Sequence, residues 1–314
     1  MADHVDWLRG GTGGGGLDED GDAVVGQLAA ERPPVDAAEY DEAYFLCASE
    51  GYREFAASRG RRLGARLRKV LELADVRPGQ RVLDVGCGRG ELVVQCALRG
   101  ARAAGIDYAE AAVRIANEAI GHHPAAVRDR CQVLAMDACR LRFEDASFDT
   151  AVMSDVVEHL TPSQLDAALA EVRRVLRPGG RLVIHTYPNR ELLDVTYPAY
   201  VRRVHQVMAA ACRLLRYRDS IIRPDVPTGP IFPRSEHERR FHVNEQSGAS
   251  LRLALHRRGF EAVRMRFWQP AAYAVGWPLR LWALDLVRYL RPFSFFPPLN
   301  RYFCGHIWAV ARRP

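Results

Sequence analysis

An α/β fold with a doubly wound, mostly parallel sheet is what this sequence predicts, and three observations carry it. The stretch RVLDVGCGRGEL (81–92) is a short apolar strand, Val82, Leu83 and Val85, that runs into glycines at alternate positions. A helical pattern through Leu92, Val93, Cys96 and Leu98 follows at once. The unit then recurs, with apolar runs at 102–107, 131–138, 150–153 and 175–189 separated by helix-period segments. Such alternation implies right-handed crossovers and a sheet covered on both faces. Finally, Asp107 and Asp137 end two of the runs and Asp155 follows a third, at the carboxyl edge where open α/β sheets bind ligands.

The first 36 residues hold GGTGGGG, an acidic DEDGD run and ERPP. That composition cannot bury enough apolar surface to offset the entropy of ordering, so a flexible tail is expected over 1–36. Over 37–60 the aromatics Tyr40, Tyr44, Phe45, Tyr52 and Phe55 recur at near-helical spacing. They predict a helix that either packs on the domain or acts as a lid closing over a ligand. Residues 61–74 place Leu63, Leu67, Val70, Leu71 and Ala74 on one helical face, with Arg77-Pro78-Gly79 closing that helix ahead of the first strand.

Gly86, Gly88 and Gly90 sit where a ligand must approach the backbone closely or where φ must be positive, and Asp84 stands just before them. A carboxylate there can reach an ammonium or hydroxyl. Asp107 ends the second strand, 23 positions beyond Asp84, where an acid accepts both ribose hydroxyls of an adenosine-type ligand. Tyr108 follows and can lie against an adenine ring. The order D-x-G-x-G-x-G resembles motif I of the class I S-adenosylmethionine (SAM) methyltransferases. Over 61–189 the resemblance is carried by DVGCGRG, GIDY, MDA, FDTAVMSDVVEHL and VLRPGG, in the family's order. It implies a Rossmann-like seven-stranded sheet closed by an antiparallel hairpin, and SAM as cofactor. By the same resemblance Asp137 meets the adenine amino group, with Ala138 and Ser154 beside the cofactor.

The remaining elements follow from caps and periodicity. Thr161-Pro162-Ser163-Gln164 is a helix start with threonine at the N-cap and proline at the first helical position. Leu165, Ala168, Leu169, Val172 and Leu176 give its buried face, and Pro178-Gly179-Gly180 is expected to end it and begin the fifth strand. Asn244 is expected to cap a helix through Leu251, Ala254 and Leu255, with closing strands at 260–268 and 306–312. Two long insertions remain. The first, 190–243 after Pro188-Asn189, is expected as an acceptor-side lid, and the second spans 269–305. A core continuation at 244–268 separates them, and 306–314 is the closing strand.

Methyl transfer from SAM is an in-line displacement that needs positioning and a deprotonated nucleophile. His159 is the candidate base and Glu158 its orienting partner, with Asp155 nearby. His159 can equally serve to cap the next helix. Asp155-Val-Val-Glu158-His159 also resembles the E-x-x-E-H segment of ubiquinone-pathway O-methyltransferases and small-RNA 2′-O-methyltransferases, where it is associated with a divalent metal. His237 or His242 could add a ligand, but a shorter aspartate stands at the first position, and no metal site is assigned. No N/D-P-P-[YF] tetrapeptide or Pro-Cys pair follows the fourth strand, which argues against adenine, glutamine or cytosine-C5 methylation.

Composition narrows the acceptor. The net charge is +6 and the pI near 9.1, yet Lys69 is the only lysine and the arginines are scattered, so charge does not carry a nucleic-acid reading. The seven cysteines form no C-x-x-C pair, which predicts free thiols in a reducing compartment. No apolar run reaches about 18 residues, and a cytoplasmic protein is expected, with peripheral contact at the inner membrane face as a variant. That variant rests on the second insertion, where Trp277, Leu281, Trp282, Leu284 and Leu286 alternate with Arg280, Arg288 and Arg291. A bulky apolar or anionic small molecule, or a lipid-linked one, fits such a border. An RNA 2′-O-methyltransferase and a non-catalytic SAM-binding module are the alternatives, and oligomeric state is unspecified.

Overall fold

The computed structural model describes residues 34–48, 51–214, 240–268, 293 and 296–314. Its strands are β1 (Arg81–Val85), β2 (Arg102–Asp107), β3 (Cys131–Ala135), β4 (Phe148–Ser154), β5 (Leu176–Thr186), β6 (Glu261–Phe267) and β7 (Ile307–Arg312). They pair in the order β3-β2-β1-β4-β5-β7-β6. The first five run parallel, and β7 is antiparallel to both β5 and β6. The expected fold class is therefore the one observed.

Period-two alternation explains why the sheet is buried on both faces. Leu83, Val85, Met153, Leu182 and Ile184 pack on one side against α6 (Pro162–Val175) and α8 (Gly248–Arg257), through Leu165, Leu169, Val172, Leu251 and Leu255. Val82, Val152, Val183 and Trp308 face the other side. There they meet Val70 and Leu71 of α2 (Ala65–Ala74), Val93 and Cys96 of α3 (Glu91–Leu98), and Ala116 and Ile120 of α4 (Glu110–Gly121). The Thr161 side chain accepts from the Gln164 amide while the Gln164 side chain caps Thr161 in return.

Several boundaries differ from expectation. The aromatic segment 37–60 is three short pieces rather than one lid helix: a 3-10 turn Ala37–Glu39, a π-helical turn Tyr44–Ala48 and α1 (Tyr52–Ser58). Gly51, at φ 82°, precedes α1 as its N-cap and breaks the helical path. The α2 helix begins at Ala65, since Gly64 is its N-cap. α6 ends at Val175, and the Arg-Pro-Gly-Gly stretch belongs to β5, whose first residue Leu176 pairs with Phe148. Ser247, not Asn244, caps α8, because its hydroxyl accepts from the Ser250 amide and the Ser250 side chain returns the bond. A short helix α5 (Ala125–Arg128) precedes β3 and carries no strong sequence signal.

The first insertion opens with a π-helix Leu192–Val201 that continues into α7 (Arg202–Leu214). Leu192, Leu193, Tyr197 and Val201 are buried, and Thr196 Oγ1 donates to the carbonyl of Tyr302 at 2.6 Å. The near end of the first insertion is thus joined to the far end of the second. His237, the Arg223-to-Pro233 segment, the Trp277-to-Arg291 stretch and nearly all of the expected tail lie outside the described residues. Among the described residues no helix is long and apolar enough to cross a membrane.

Candidate active site

A cavity of about 650 Å³ opens where β1, β2, β4 and β5 end. Its floor at β1 is the glycine turn. Gly86 has φ +69°, and a Cβ there would come within 2.5 Å of Val156 Cγ2. Gly90 has φ +77°, and a Cβ would meet that of Ala116 at 2.9 Å. Glycine is needed at both for backbone angle and for space. Asp107 is buried, and its two oxygens accept from the amides of Gly88 and Ala109, each at 3.0 Å. Burial pushes its carboxyl up while those amides pull it down. Asp84 is pushed well above the usual carboxylate range by burial and by the neighbouring acids Asp107 and Glu91. Asp137 Oδ1 accepts from the Cys139 amide at 2.8 Å, and Asp137, Ala138 and Tyr108 line the same space. Ser154 Oγ is buried on the wall with no hydrogen-bond partner among the described residues.

The aromatics of 40–45 roof the cavity. The Tyr40 ring meets Tyr44 at 4.8 Å, Tyr108 at 5.4 Å and Phe241 at 4.9 Å. Burial raises both the Tyr40 and Tyr44 phenols, so they stay neutral. Arg89, inside the glycine turn, donates to the Phe45 carbonyl and pairs with Glu91 at 3.1 Å, with both side chains buried.

The β4 segment departs from the expected arrangement. Asp155 sits in the left-handed region at φ 55°, and its carboxylate binds Arg66 with one oxygen and lies 2.7 Å from His185 Nδ1 with the other. Its partners are thus Arg66 and His185 rather than His159 or Glu158. Glu158 does not supply the bond that orients His159. Its Oε2 accepts from Thr186 Oγ1 at 2.9 Å, and burial first of all pushes its carboxyl up to about 7. His159 is instead held at Nδ1, 3.1 Å from the Phe241 carbonyl and 2.9 Å from the Tyr40 hydroxyl. A carbonyl only accepts, so this contact puts the ring proton on Nδ1 and leaves Nε2 as the basic atom. Glu158, His159 and His242 bring one ligand atom each within 4.8 Å of one another. His242, one of the two histidines named as a further ligand candidate, joins this group and Asp155 does not, and two imidazoles with a carboxylate suit a divalent transition metal.

With this geometry in view, residues 83–184 match the family model described as a methyltransferase domain. Residues 83–184 are a class I methyltransferase domain. Among curated relatives, the sterol 4-C-methyltransferase strm-1 of Caenorhabditis elegans is 30% identical over 138 residues, covering 44% of this chain and 40% of that one. A demethylmenaquinone methyltransferase of Mycolicibacterium gilvum is 30% identical over 146 residues, covering 46% and 59%. The matches to the first of these relatives span about two fifths of their length. Among solved structures, the (4+2)-cyclase SpnF superposes with a TM-score of 0.55 at 18% identity, covering 91% of this chain and 99% of that one, which shows the shared fold.

The fold brings to the cavity residues that the sequence motifs did not announce. Arg66, Arg89, His185 and His306 all line it, beside His242, which the sequence had offered as a ligand. Arg89 stood inside the glycine motif, where its type gave no hint of burial. His185 lies on the fifth predicted strand and His306 at the edge of the last, where a polar residue in an apolar run was the one available signal. Among the described residues, Cys87, Cys96, Cys131, Cys139 and Cys304 form no disulfide, and burial raises Cys87 and Cys96.

Proposed function

We propose that this chain is a SAM-dependent methyltransferase that acts on a hydroxyl of a bulky apolar or anionic small molecule. The observation that supports it most is one continuous cavity with two chemically different ends. One end holds the glycine turn, Asp84 and Asp107; the other holds four histidines and Asp155. Bound SAM supplies an electrophilic methyl group on a cationic sulfur. The buried acids Asp84 and Asp107 favour a ligand carrying positive charge, and Asp107 can accept from ribose hydroxyls alongside its two amide bonds. Ser154 Oγ is a further polar atom awaiting a partner there. Tyr108 and the Tyr40–Tyr44–Phe45 roof exclude water once closed. At the other end, His159 and His306 are both able to take a hydroxyl proton. Leu160 and Tyr187 add apolar lining to the cavity, and relatives named for sterol and demethylmenaquinone methylation point to acceptors of similar bulk.

A second reading has one observation in its favour: a fold this similar belongs to a protein named as a cyclase. A SAM-binding chain that transfers nothing is the corresponding outcome here. Calorimetry with SAM, followed by transfer of label from methyl-tritiated SAM into quinol, sterol and polyketide fractions, separates the two. Binding with transfer supports the proposal, binding without transfer supports the second reading, and no binding removes both.

A further inference from the structure

Two segments, 192–214 and 293–303, line no part of the cavity yet hold most of the large apolar side chains that the fold leaves in water. Ten such side chains are exposed among the described residues, and six of them lie here. Val195, Val207 and Leu214 belong to the π-helix and α7 of the first insertion, and Phe293, Phe296 and Leu299 to the end of the second. Phe296 is 62% exposed and Leu214 84%. A gathering of that kind marks a contact surface. The two segments are held together. Besides the bond from Thr196 to Tyr302, Asn189 Nδ2 donates to the carbonyls of Arg301 and Cys304 at 2.6 and 2.9 Å, and Arg301 pairs with Glu191. The Phe293 ring meets that of Phe303 at 5.6 Å. Gly305 then passes so close to Tyr187 that a Cβ would come within 2.9 Å of its ring, and Tyr187 and His306 line the cavity.

Charge says what such a surface meets. Over 190–218 the sequence holds six arginines against two acids, and Arg202 and Arg203 at the start of α7 are exposed. The two acids, Glu191 and Asp194, already pair with Arg301 and Arg190. Exposed aromatic and aliphatic groups bordered by an excess of arginine match the interface of an anionic bilayer. Apolar groups enter the acyl boundary there, while guanidinium groups stay among the phosphates. We infer that the surface formed by 192–214 and 293–303 docks this chain on an anionic lipid bilayer, beside the wall of the cavity. Docking itself stands apart from the methyltransferase reading. Its use, to pass a membrane-held apolar acceptor into the cavity, rests on that reading.

Flotation of the full chain with lipid vesicles tests the docking. The chain should float with equimolar phosphatidylglycerol and phosphatidylcholine, stay behind with phosphatidylcholine alone, and be released by high salt. Phe296→Ser combined with Leu299→Ser should lower the partition by about tenfold or more, since two apolar groups leave the interface. Arg202→Ser combined with Arg203→Ser should lower it by about twentyfold, at about fivefold for each arginine near an anionic surface. A melting curve on each double variant checks its folding, and Val207→Ser with Leu214→Ser replaces one that does not fold. Absence of flotation with the anionic vesicles, equal flotation with phosphatidylcholine alone, or an unchanged partition in either folded double variant overturns the inference. Sedimentation velocity without lipid covers the other occupant. A wild-type dimer that the variants dissociate makes this face an interface between copies of the chain, and that result overturns the inference too. SAM calorimetry on the same samples without vesicles reports the methyltransferase reading separately, because none of these residues lines the cavity.

Discussion

Arg89 donates from Nη1 to the main-chain carbonyl of Phe45 at 2.8 Å, across 44 positions of chain. One guanidinium thereby ties the glycine turn to the aromatic roof above it. The same group pairs with Glu91 and lies over the Phe55 ring at 5.2 Å, so three parts of the amino-terminal half converge on one buried cation.

Removing that cation should be costly. Arg89→Met leaves the buried Glu91 without its partner, and loss of one member of a buried ion pair costs about 3–5 kcal/mol. Urea unfolding should show a drop of that order. The double variant with Glu91→Gln should recover much of it, since the stranded charge is then gone. Equal stability of the single and double variants would mean the pair itself contributes nothing.

Asp107→Asn should weaken SAM binding by about 1.5–3 kcal/mol, the range for hydrogen bonds to a charged group. Calorimetry measures it directly. Because Asp107 also accepts from Gly88 and Ala109, a melting curve on the same variant is needed, and a shift in affinity without a comparable shift in melting assigns the effect to the ligand.

Glu158 should make the fold less stable as pH rises. Its carboxyl is pushed from an ordinary 4.5 up to about 7, chiefly by burial. The unfolded chain therefore releases this proton first, and stability is fully present below about 4.5 and falls until pH passes about 7. The full effect is on the order of 3 kcal/mol, at about 1.4 kcal/mol for each pH unit over which the folded chain alone holds the proton. Glu158→Gln should remove this component, so the difference between wild type and variant in urea unfolding at pH 4.5 and pH 8 isolates it. A pH-independent difference would show that Glu158 ionises normally.

Dialysis against EDTA should leave methyl transfer intact. Burial pushes the Glu158 carboxyl up and its Oε2 already accepts from Thr186, so a proton and a hydroxyl compete with a cation beside His159 and His242. Loss of turnover on chelation, restored by one divalent cation, would instead assign that group as a metal centre.

How much of this was legible beforehand depends on the distance in sequence over which each feature is built. Strand, turn and helix repeat locally, so apolar periodicity located the parallel strands, the glycine turn and the acids Asp84 and Asp107 at their mouths. The Thr161–Gln164 cap spans three residues and could be read the same way. The chemical end of the cavity could not. The segment Asp155 to His159 placed Asp155 near His159 and Glu158, but the folded chain, with a left-handed backbone at Asp155, brings its carboxylate to Arg66 and His185. His185 meets His306 across 121 positions, and Tyr40 meets His159 across 119. Such contacts exist only once β7 has inserted beside β5 and the amino-terminal aromatics have folded over the sheet. The sequence by itself determined the α/β core and the cofactor-facing turn, because the burial of alternating side chains is a local property. Tertiary structure decided which imidazoles meet at the cavity and against what, because those neighbours are contributed by segments far apart in the chain.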